Sequence, residues 1–457
     1  MVVKNYLIWF INMIKKIQFY LAIGLGIIVK NLLKISGHMA TSLPGLIAYF
    51  IYPDILKEIG IRCKIKIFVT GTNGKTTTNY LIKTILSKSG SVLYNEFGAN
   101  MISGIVSAFI SNLKQTYEYC TFEIDEGTLP KIAKQLKPDI VVVTNIFRDQ
   151  LDRYAEIEII RKKIFEGIGD SVGLLNGDDP SLNLLKGENK FFYSIEVKNE
   201  LHDRNITLDV QFCPVCGTKL NYEYYTIGHL GKFICPQCGF SNNEPRFLIT
   251  NVRESDDTIL FDFIDKKKGK VKDLNTKRSG IYQLYNISAA LSCAMILGID
   301  FKQIKDAVKN FSHRLGRYEE IVYQNKKIII NLVKNPVSLS ETLYTIARDT
   351  SRKIVVFILN DNYADGKDVS WIWDADFEIL SKIENIKKIY CDGKRKEEIK
   401  LRLKYTSFDI EKCVLTNLKE NIFLLLNEDV EKLYFLPTYT ALFETRNIIL
   451  NAINEVV

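Results

Sequence analysis

The sequence predicts an α/β protein: a central parallel-sheet domain built on a phosphate-binding loop, a four-cysteine ribbon inserted in it, and a C-terminal α/β domain. Three observations predict it. A β-branched run at 65–70 passes directly into Gly71-Thr72-Asn73-Gly74-Lys75-Thr76-Thr77-Thr78, the order strand, glycine-lysine-threonine loop, helix start. Strand and helix patterns then alternate at crossover lengths, which implies parallel pairing with right-handed connections. Two Cys-x-x-Cys pairs, Cys213 with Cys216 and Cys235 with Cys238, enclose eighteen residues, the spacing of a tetrahedral zinc site. A chain of 457 residues, 47% hydrophobic and 25% charged, is long enough for two or three such cores.

In the loop, Gly71 and Gly74 let backbone N–H groups close around phosphate oxygens, with Thr72, Asn73 and Thr77 alongside. Lys75 reaches the β- and γ-phosphates, and Thr76 offers a hydroxyl to Mg²⁺ at a helix N-terminus. The pattern predicts a nucleoside triphosphate site. With Gly71 as first glycine the loop is shorter than GxxxxGK[ST]; counting from Phe68 restores the length and puts phenylalanine in the place of glycine.

Beyond the loop, a helix is expected at 79–88, a strand at 119–124, a helix at 129–136, a strand at 139–145 and a helix at 156–167. In parallel sheets ligands sit past the carboxyl ends of the strands. The first of these strands runs into Glu123-Ile124-Asp125-Glu126, the second into Asn145-Ile146-Phe147-Arg148-Asp149-Gln150 and on to Tyr154. Carboxylates at the mouth of a phosphate site are candidates for Mg²⁺.

Each cysteine pair is followed by glycine, Gly217 and Gly239, as a tight knuckle around a metal requires. Four thiolates leave no position for substrate, so the zinc is expected to be structural, in an insertion at about 205–245. The other five cysteines, Cys63, Cys120, Cys293, Cys391 and Cys413, stand singly and read as buried packing residues in a reducing compartment. His38, His202, His229 and His313 show no ligand spacing. No Ser-His-Asp or Cys-His nucleophile set stands out.

Charge is uneven along the chain. Residues 1–66 carry nine Lys/Arg against Asp54 and Glu58, which is +7 of the formal +8. Their apolar runs, 6–14 and 17–29, are broken by Lys15 and Lys16, and neither reaches the ~20 residues of a spanning helix. No small-x-small cleavage site follows them cleanly. Three readings stay open: a helix packed on the next domain, an interfacial helix drawn to anionic lipid, and a cleavable signal peptide, whose basic start and apolar core the segment fits.

Further along stand Asn176-Gly177-Asp178-Asp179-Pro180, then Gly280-Ile281-Tyr282-Gln283-Leu284-Tyr285-Asn286, then His313-Arg314-Leu315-Gly316-Arg317-Tyr318-Glu319. Taken in order with the loop and the acidic strand end, they resemble the Mur ligase superfamily, which includes folylpolyglutamate synthases, over roughly 40–350. The resemblance implies a carboxylate–amine ligase: ATP phosphorylates a carboxylate and an amine attacks the acyl phosphate. It further implies that Lys75 and Thr76 hold phosphates and metal, that Glu123 or Glu126 binds Mg²⁺, that Asn286 contacts the nucleotide, and that Arg317 reaches the γ-phosphate from a domain junction. Two departures stand out. Asp149-Gln150 replaces the Asp-His of the amino-acid-adding enzymes, and Asn331-Leu332-Val333-Lys334-Asn335-Pro336 replaces their Asp-Tyr-Ala-His segment.

An apolar strand at 354–359 ends in Asn360-Asp361-Asn362-Tyr363-Ala364-Asp365-Gly366-Lys367-Asp368-Val369-Ser370-Trp371-Ile372-Trp373-Asp374. With the ribbon, this segment resembles the Mur-ligase-like subunits of lipid II isoglutaminyl synthases, across nearly the whole chain. That resemblance implies amidation of the D-glutamate α-carboxylate in the lipid II stem peptide. Ammonia would come from a class I amidotransferase-like glutaminase subunit, whose catalytic histidine Asp368 would orient in a Cys-His-Asp triad.

The expected layout is a substrate-side segment at 1–55, an ATP-binding domain at 56–315 and a C-terminal domain at 316–457 with a glutaminase-contact segment at 360–374. The expected cofactors are ATP, Mg²⁺ and Zn²⁺, and the expected place is the cytoplasm, with the inner face of the cell membrane as a further option. Two alternatives stay open: a single-chain ligase that adds an amino acid, and a non-catalytic nucleotide-dependent ribbon protein that binds nucleic acid. The second is weak, because residues 211–242 offer only Lys219 and Lys232, with Glu223 against them.

Overall fold

The computed structural model describes residues 2–36, 40–96, 98–149, 157–197, 208–255, 258–277, 280–309, 311 and 316–456. Residues 150–154 beyond the strand expected at 139–145, the expected start of a helix at 156, the first residues of the ribbon insertion, residues 313–315 of the linker motif, and His38 and His202 lie outside that description.

The strand β1 (Cys63–Thr70) has no solvent face at its carboxyl half: Ile67, Phe68 and Val69 are all fully buried, as a parallel strand covered on both sides requires. It lies inside a nine-stranded sheet. The spatial order is β11 (Gly269–Lys277), β10 (Thr258–Asp265), β9 (Phe247–Glu254), β6 (Lys190–Ile195), β5 (Val172–Asn176), β4 (Ile140–Val143), β1, β3 (Tyr117–Glu123) and β2 (Val92–Tyr94). Pairing is parallel from β2 through β9 and antiparallel from β9 to β11. Alternate side chains of β1 enter different cores. Ile67 and Val69 meet the helix α4 (Lys75–Leu86) and the helix Tyr282–Ile296, buried from Gln283 to Met295, while Phe68 meets the other face, where Ile105, Ile132 and Ile164 also pack.

The second sheet has the order β12 (Arg317–Tyr323), β13 (Lys326–Asn331), β17 (Lys432–Pro437), β14 (Lys353–Ile358), β15 (Ile386–Asp392) and β16 (Cys413–Leu415), parallel except for β12. Between β6 and β9 of the first sheet, β7 (Asn221–Ile227) and β8 (Leu230–Ile234) pair as an antiparallel hairpin that carries the four cysteines at its base. The alternation expected beyond the phosphate loop is present at Lys75–Leu86, Tyr117–Glu123, Leu129–Leu136, Ile140–Val143 and Ile157–Ile168.

Two expectations are corrected. The N-terminal segment is one unbroken helix, α1 (Val2–Ile35), not two interrupted runs, and Trp9–Ile35 is long and apolar enough by length and composition to cross a membrane. Lys15 and Lys16 are exposed. Two charges in sequence need only one solvent-facing arc of a helix and do not interrupt its hydrogen bonds. Phe19, Ala22 and Ile23 form a buried face against α2 (Leu43–Ile51) and α5 (Ile102–Ser111). Gly26 comes so close that a Cβ there would stand 2.5 Å from Ile110.

The five single cysteines are not all single. Cys63 and Cys120 are joined in a disulfide. Cys63 opens β1 and Cys120 lies midway along the adjacent parallel strand β3, and their Cα atoms stand 5.8 Å apart across a separation of 57 residues. That span is what hid them in the sequence. Cys391 and Cys413, on the neighbours β15 and β16, bring their sulfurs to 3.6 Å.

Candidate active site between the carboxyl ends of two sheets

Three adjacent parallel strands, β4, β1 and β3, release their chains at the same edge of the first sheet. The turns that follow are the segment at 145–149, the phosphate loop at 71–74 and the acidic turn at 123–126. Opposite them stand the carboxyl ends of β13, β17 and β14, also adjacent and parallel. Between the two sets lies a cavity of about 310 Å³. It sits where the open-sheet rule places a ligand, twice over.

The phosphate loop is built by necessity around its glycines. Gly71 (φ +115°) would put a Cβ 2.4 Å from Thr144 Oγ1, and Gly74 (φ +88°) one 2.0 Å from Asn286 Oδ1. Only glycine satisfies both positions. The Asn145 side chain clamps the loop, accepting from Asn73 N at 2.9 Å and donating to Asn73 O at 3.1 Å. Thr72 does the same from within, donating to Phe147 O at 3.1 Å and accepting from Phe147 N at 2.9 Å.

Lys75 is buried, and its ammonium donates to Gly71 O at 2.5 Å and to Glu126 Oε1 at 2.9 Å. Burial acts to lower its pKa, but the carboxylates of Glu126, Glu123 and Asp125 outweigh it and hold the group above its ordinary value. Burial pushes the Glu126 carboxyl up, against the pull of Lys75. Arg317 goes the other way: burial draws its guanidinium below the usual range while Glu123 opposes. A site with this many compressed charges is poised to accept an anion beside Lys75 and Arg317 and a cation beside Glu123.

The cavity collects Thr72, Asn73, Gly74, Lys75, Thr76, Thr77, Glu123, Glu126, Asn286 and Arg317 from the residues expected by sequence. Gly71 stands behind it, as acceptor for Lys75. Thr76 and Glu123 supply hydroxyl and carboxylate oxygens, the hard donors Mg²⁺ prefers. Asp368 is outside the cavity: its carboxylate is exposed and accepts from Ser370 N at 2.8 Å. From the same segment Ala364, Asp365 and Trp371 do reach the cavity, and Asp365 is buried and accepts from Thr440 N at 2.7 Å.

Sequence reasoning missed several lining residues. Asn145 lay in the strand end it quoted without a role. The segment 331–336, read only as a departure, provides Lys334 and Asn335, which close the two halves together. Lys334 donates to Thr72 O at 3.2 Å and pairs with the Asp149 carboxylate. Asn73 and Asn335 exchange side-chain amide bonds at 3.0 and 3.4 Å, while Asn335 also caps the helix Pro336–Ala347. No sequence signal announced Ile227 and Leu230, which bring the tip of the ribbon hairpin into the cavity wall. His229 between them is fully buried, 4.7 Å from the Phe147 ring and with Nε2 3.5 Å from Asp179 Oδ1.

At the far end of that hairpin the sulfurs of Cys213, Cys216, Cys235 and Cys238 all lie within 4.8 Å of one another. Gly217 (φ +78°) and Gly239 (φ +72°) turn the two knuckles, and the backbone N–H groups of Val215 and Cys238 point at Cys213 and Cys235 sulfur at 3.4 and 3.5 Å.

Comparison with known proteins agrees with this architecture. Residues 69–236 match the Mur ligase middle domain and residues 332–442 the MurT ligase C-terminal domain. The chain is 34% identical over 394 residues to the lipid II isoglutaminyl synthase (glutamine-hydrolyzing) subunit MurT of Staphylococcus aureus strain COL, covering 85% of this chain and 88% of that one. It is 34% identical over 428 residues to the subunit of the same name from Streptococcus pneumoniae strain R6, covering 90% and 92%. Among solved structures, a pseudomurein peptide ligase type C from Methanothermus fervidus superposes with a TM-score of 0.66 at 25% identity, covering 88% of this chain and 81% of that one. With the phosphate loop, the two-sheet cavity and the C-terminal segment all in place, the chain belongs to the MurT family of Mur-type ligases.

Proposed function

We propose that this chain is the synthetase subunit that amidates the D-glutamate α-carboxylate of the lipid II stem peptide to D-isoglutamine. In the first step a carboxylate oxygen attacks the γ-phosphorus of ATP, the β–γ bridge bond breaks and ADP leaves. In the second the ammonia lone pair attacks the acyl carbon, the C–O bond to phosphate breaks, and the nitrogen sheds a proton. One observation carries the reading: a single cavity unites Lys75, Thr76, Glu123, Asn286 and Arg317 in a chain similar along most of its length to MurT subunits.

In this reading Lys75 and the loop N–H groups receive the β- and γ-phosphates, and Arg317 meets the γ-phosphate from the C-terminal side. Mg²⁺ held by Thr76 and Glu123 would neutralise the transferring phosphoryl group. Lys334 and Asn335 occupy the place where amino-acid-adding relatives have other residues, and ammonia has no carboxylate to recognise. The four cysteines fit structural Zn²⁺: Zn–S bonds of about 2.3 Å give tetrahedral S–S edges of about 3.8 Å, and the Cys213–Cys238 and Cys216–Cys235 pairs stand at 3.6 and 3.5 Å.

Ammonia comes from a glutaminase partner in the cytoplasm. The exposed carboxylate of Asp368 is available to a second chain, where it would orient the partner's catalytic imidazole as a positioning group. The test uses the complex with either glutamine or ammonium as nitrogen source. Asp368→Asn should abolish amidation from glutamine and leave amidation from ammonium near the parent rate; equal loss from both sources would place Asp368 in the ligase chemistry and sink the assignment. Amino-acid addition without any glutaminase would overturn the whole reading in favour of a single-chain ligase.

A further inference from the structure

The cavity has two chemically different ends, and the order of the strands decides which residues form each. In the first sheet β1 lies between β4 and β3, so the phosphate loop stands in the middle, with the acidic turn after β3 on one side and the segment after β4 on the other. The β3 side presents Glu123, Asp125 and Glu126. The β4 side is apolar, with Phe147, Val337 and, from the hairpin β7–β8, Ile227 and Leu230. These groups converge. A Cβ at Gly228, in the turn between the two ribbon strands, would stand 2.9 Å from the Phe147 ring and 3.5 Å from Val337. The hairpin tip is fixed on this side by Gly231 N, which donates to Asp178 O just beyond β5 at 3.0 Å.

A buried donor at the same end is unspent. Gln283 is 1% exposed and lines the cavity; its Oε1 accepts from Asn286 Nδ2 at 3.1 Å, while its Nε2 has no hydrogen-bond partner among the described residues. Asn286 borders the phosphate loop at Gly74, and Tyr285, between the two in sequence, donates to Asp178. The helix Tyr282–Ile296 therefore brings the free amide to the β4 side of the loop. A buried amide N–H without an acceptor is costly, and a ligand atom that accepts from it removes the cost. An apolar slot with such a donor suits a flat heteroaromatic ring that carries a lone-pair nitrogen. With its phosphates on Lys75, a nucleotide has one apolar end open to its base, because carboxylates line the other.

We infer that the tip of the four-cysteine ribbon is part of the nucleotide site: Ile227 and Leu230, with Phe147 and Val337, hold the base, and the Gln283 amide donates to one of its ring nitrogens. The ligand class is a nucleotide whose base offers an unprotonated ring nitrogen, as a purine does. The inference rests on the nucleotide reading of the cavity and assigns its base end, which makes the ribbon a recognition element as well as a metal-held one.

The experiment is binding to the full chain, with Mg²⁺ present, of ADP and of tripolyphosphate, which has no base. Neither needs glutamine or a stem peptide, so a failed amidation assay leaves the result readable. Gln283→Leu and Leu230→Ala should each weaken ADP about tenfold or more and change tripolyphosphate affinity by less than about twofold. Retained tripolyphosphate binding also shows that the variant's phosphate site is folded. Photolysis of 8-azido-ADP on the parent should label the peptide carrying residues 227–230 or the one carrying Phe147, a result that needs no substitution. A parent that binds neither ligand would overturn the nucleotide reading itself. Equal loss of both ligands in Gln283→Leu, undiminished ADP affinity in both variants, or label confined to residues 98–126 would overturn the base assignment alone.

Discussion

Lys75 is held ready by groups that a phosphate would have to displace. Its ammonium spans Gly71 O and Glu126, and the surrounding carboxylates keep it charged despite burial. If it neutralises the transferring phosphoryl group, Lys75→Ala should lower ammonium-driven amidation by ~10³-fold or more. Substrate-dependent ADP release would fall equally, since no acyl phosphate forms. Survival of ADP release would show that Lys75 serves a later step. Asp178 offers a test by pH. It is buried beneath the cavity residue Tyr285, whose hydroxyl donates to it at 2.8 Å, and burial pushes its pKa up to about 6 against bonds from Ser194, Ile195 N and Tyr285. The folded chain therefore binds this proton more tightly than the unfolded chain, for which a value of about 3.9 applies. Its stabilising contribution is full below pH ~4, falls as pH rises to ~6, and is flat above, about 3 kcal/mol in all. Asp178→Asn removes the titration, so the parent's stability minus the variant's, read from urea midpoints, should fall by about 3 kcal/mol from pH 4 to pH 7.5. A gap that does not change with pH would refute the shifted value.

The ribbon joins two ends of one element to two tasks. Its base gathers four thiols and its tip gives Ile227 and Leu230 to the cavity wall, with the imidazole of His229 locked under Phe147 between them. If zinc folds the base, then metal removal should be felt at the tip. Cys213→Ser, or chelation of the parent, should abolish stoichiometric zinc and lower the melting temperature by several degrees. It should also raise the apparent KM for ATP severalfold, while turnover at saturating ATP is much less affected. Protein made under reducing conditions that contains no zinc, with unaltered ATP affinity, would count against both the metal and the coupling.

On the scale of the whole molecule, the cavity exists only because two sheets present carboxyl ends to each other. Among the described residues the contacts that close them include Lys334 to Thr72 O and Asp149, the amide exchange of Asn73 with Asn335, and the burial of Val337 in the core of the first sheet. Lys334 and Asp149 are both mostly buried, so the bond is worth more than a surface pair, about 1.5–3 kcal/mol for a charge-assisted bond. Lys334→Ala should lower kcat/KM for ATP about tenfold or more and increase the radius of gyration measured by X-ray scattering, with each sheet keeping its own stability. An unchanged radius together with unchanged kinetics would show that closure depends on other contacts. Arg148 adds a second tie, with Asp209 Oδ1 at 2.5 Å and Asp374 Oδ2 at 3.7 Å, which connects the ribbon's approach to the segment carrying Asp368.

By itself the sequence determined the phosphate loop, the alternating strands and helices, the acidic strand end and the two cysteine knuckles. All of these depend on residues within a few positions of one another, where backbone sterics and side-chain period act directly. Tertiary structure alone decided what came from far apart. Cys63 met Cys120 because β1 and β3 became neighbours, and Asn335 met Asn73 because the second sheet faced the first. Ile227 reached the cavity because a ribbon rooted in four thiols is long enough to return to it. The helix α1 shows both halves of that division. Its residues encode two apolar faces in one period, but only the packing of Phe19, Ala22 and Ile23 on α2 and α5 decided which face was covered and which was left to the solvent.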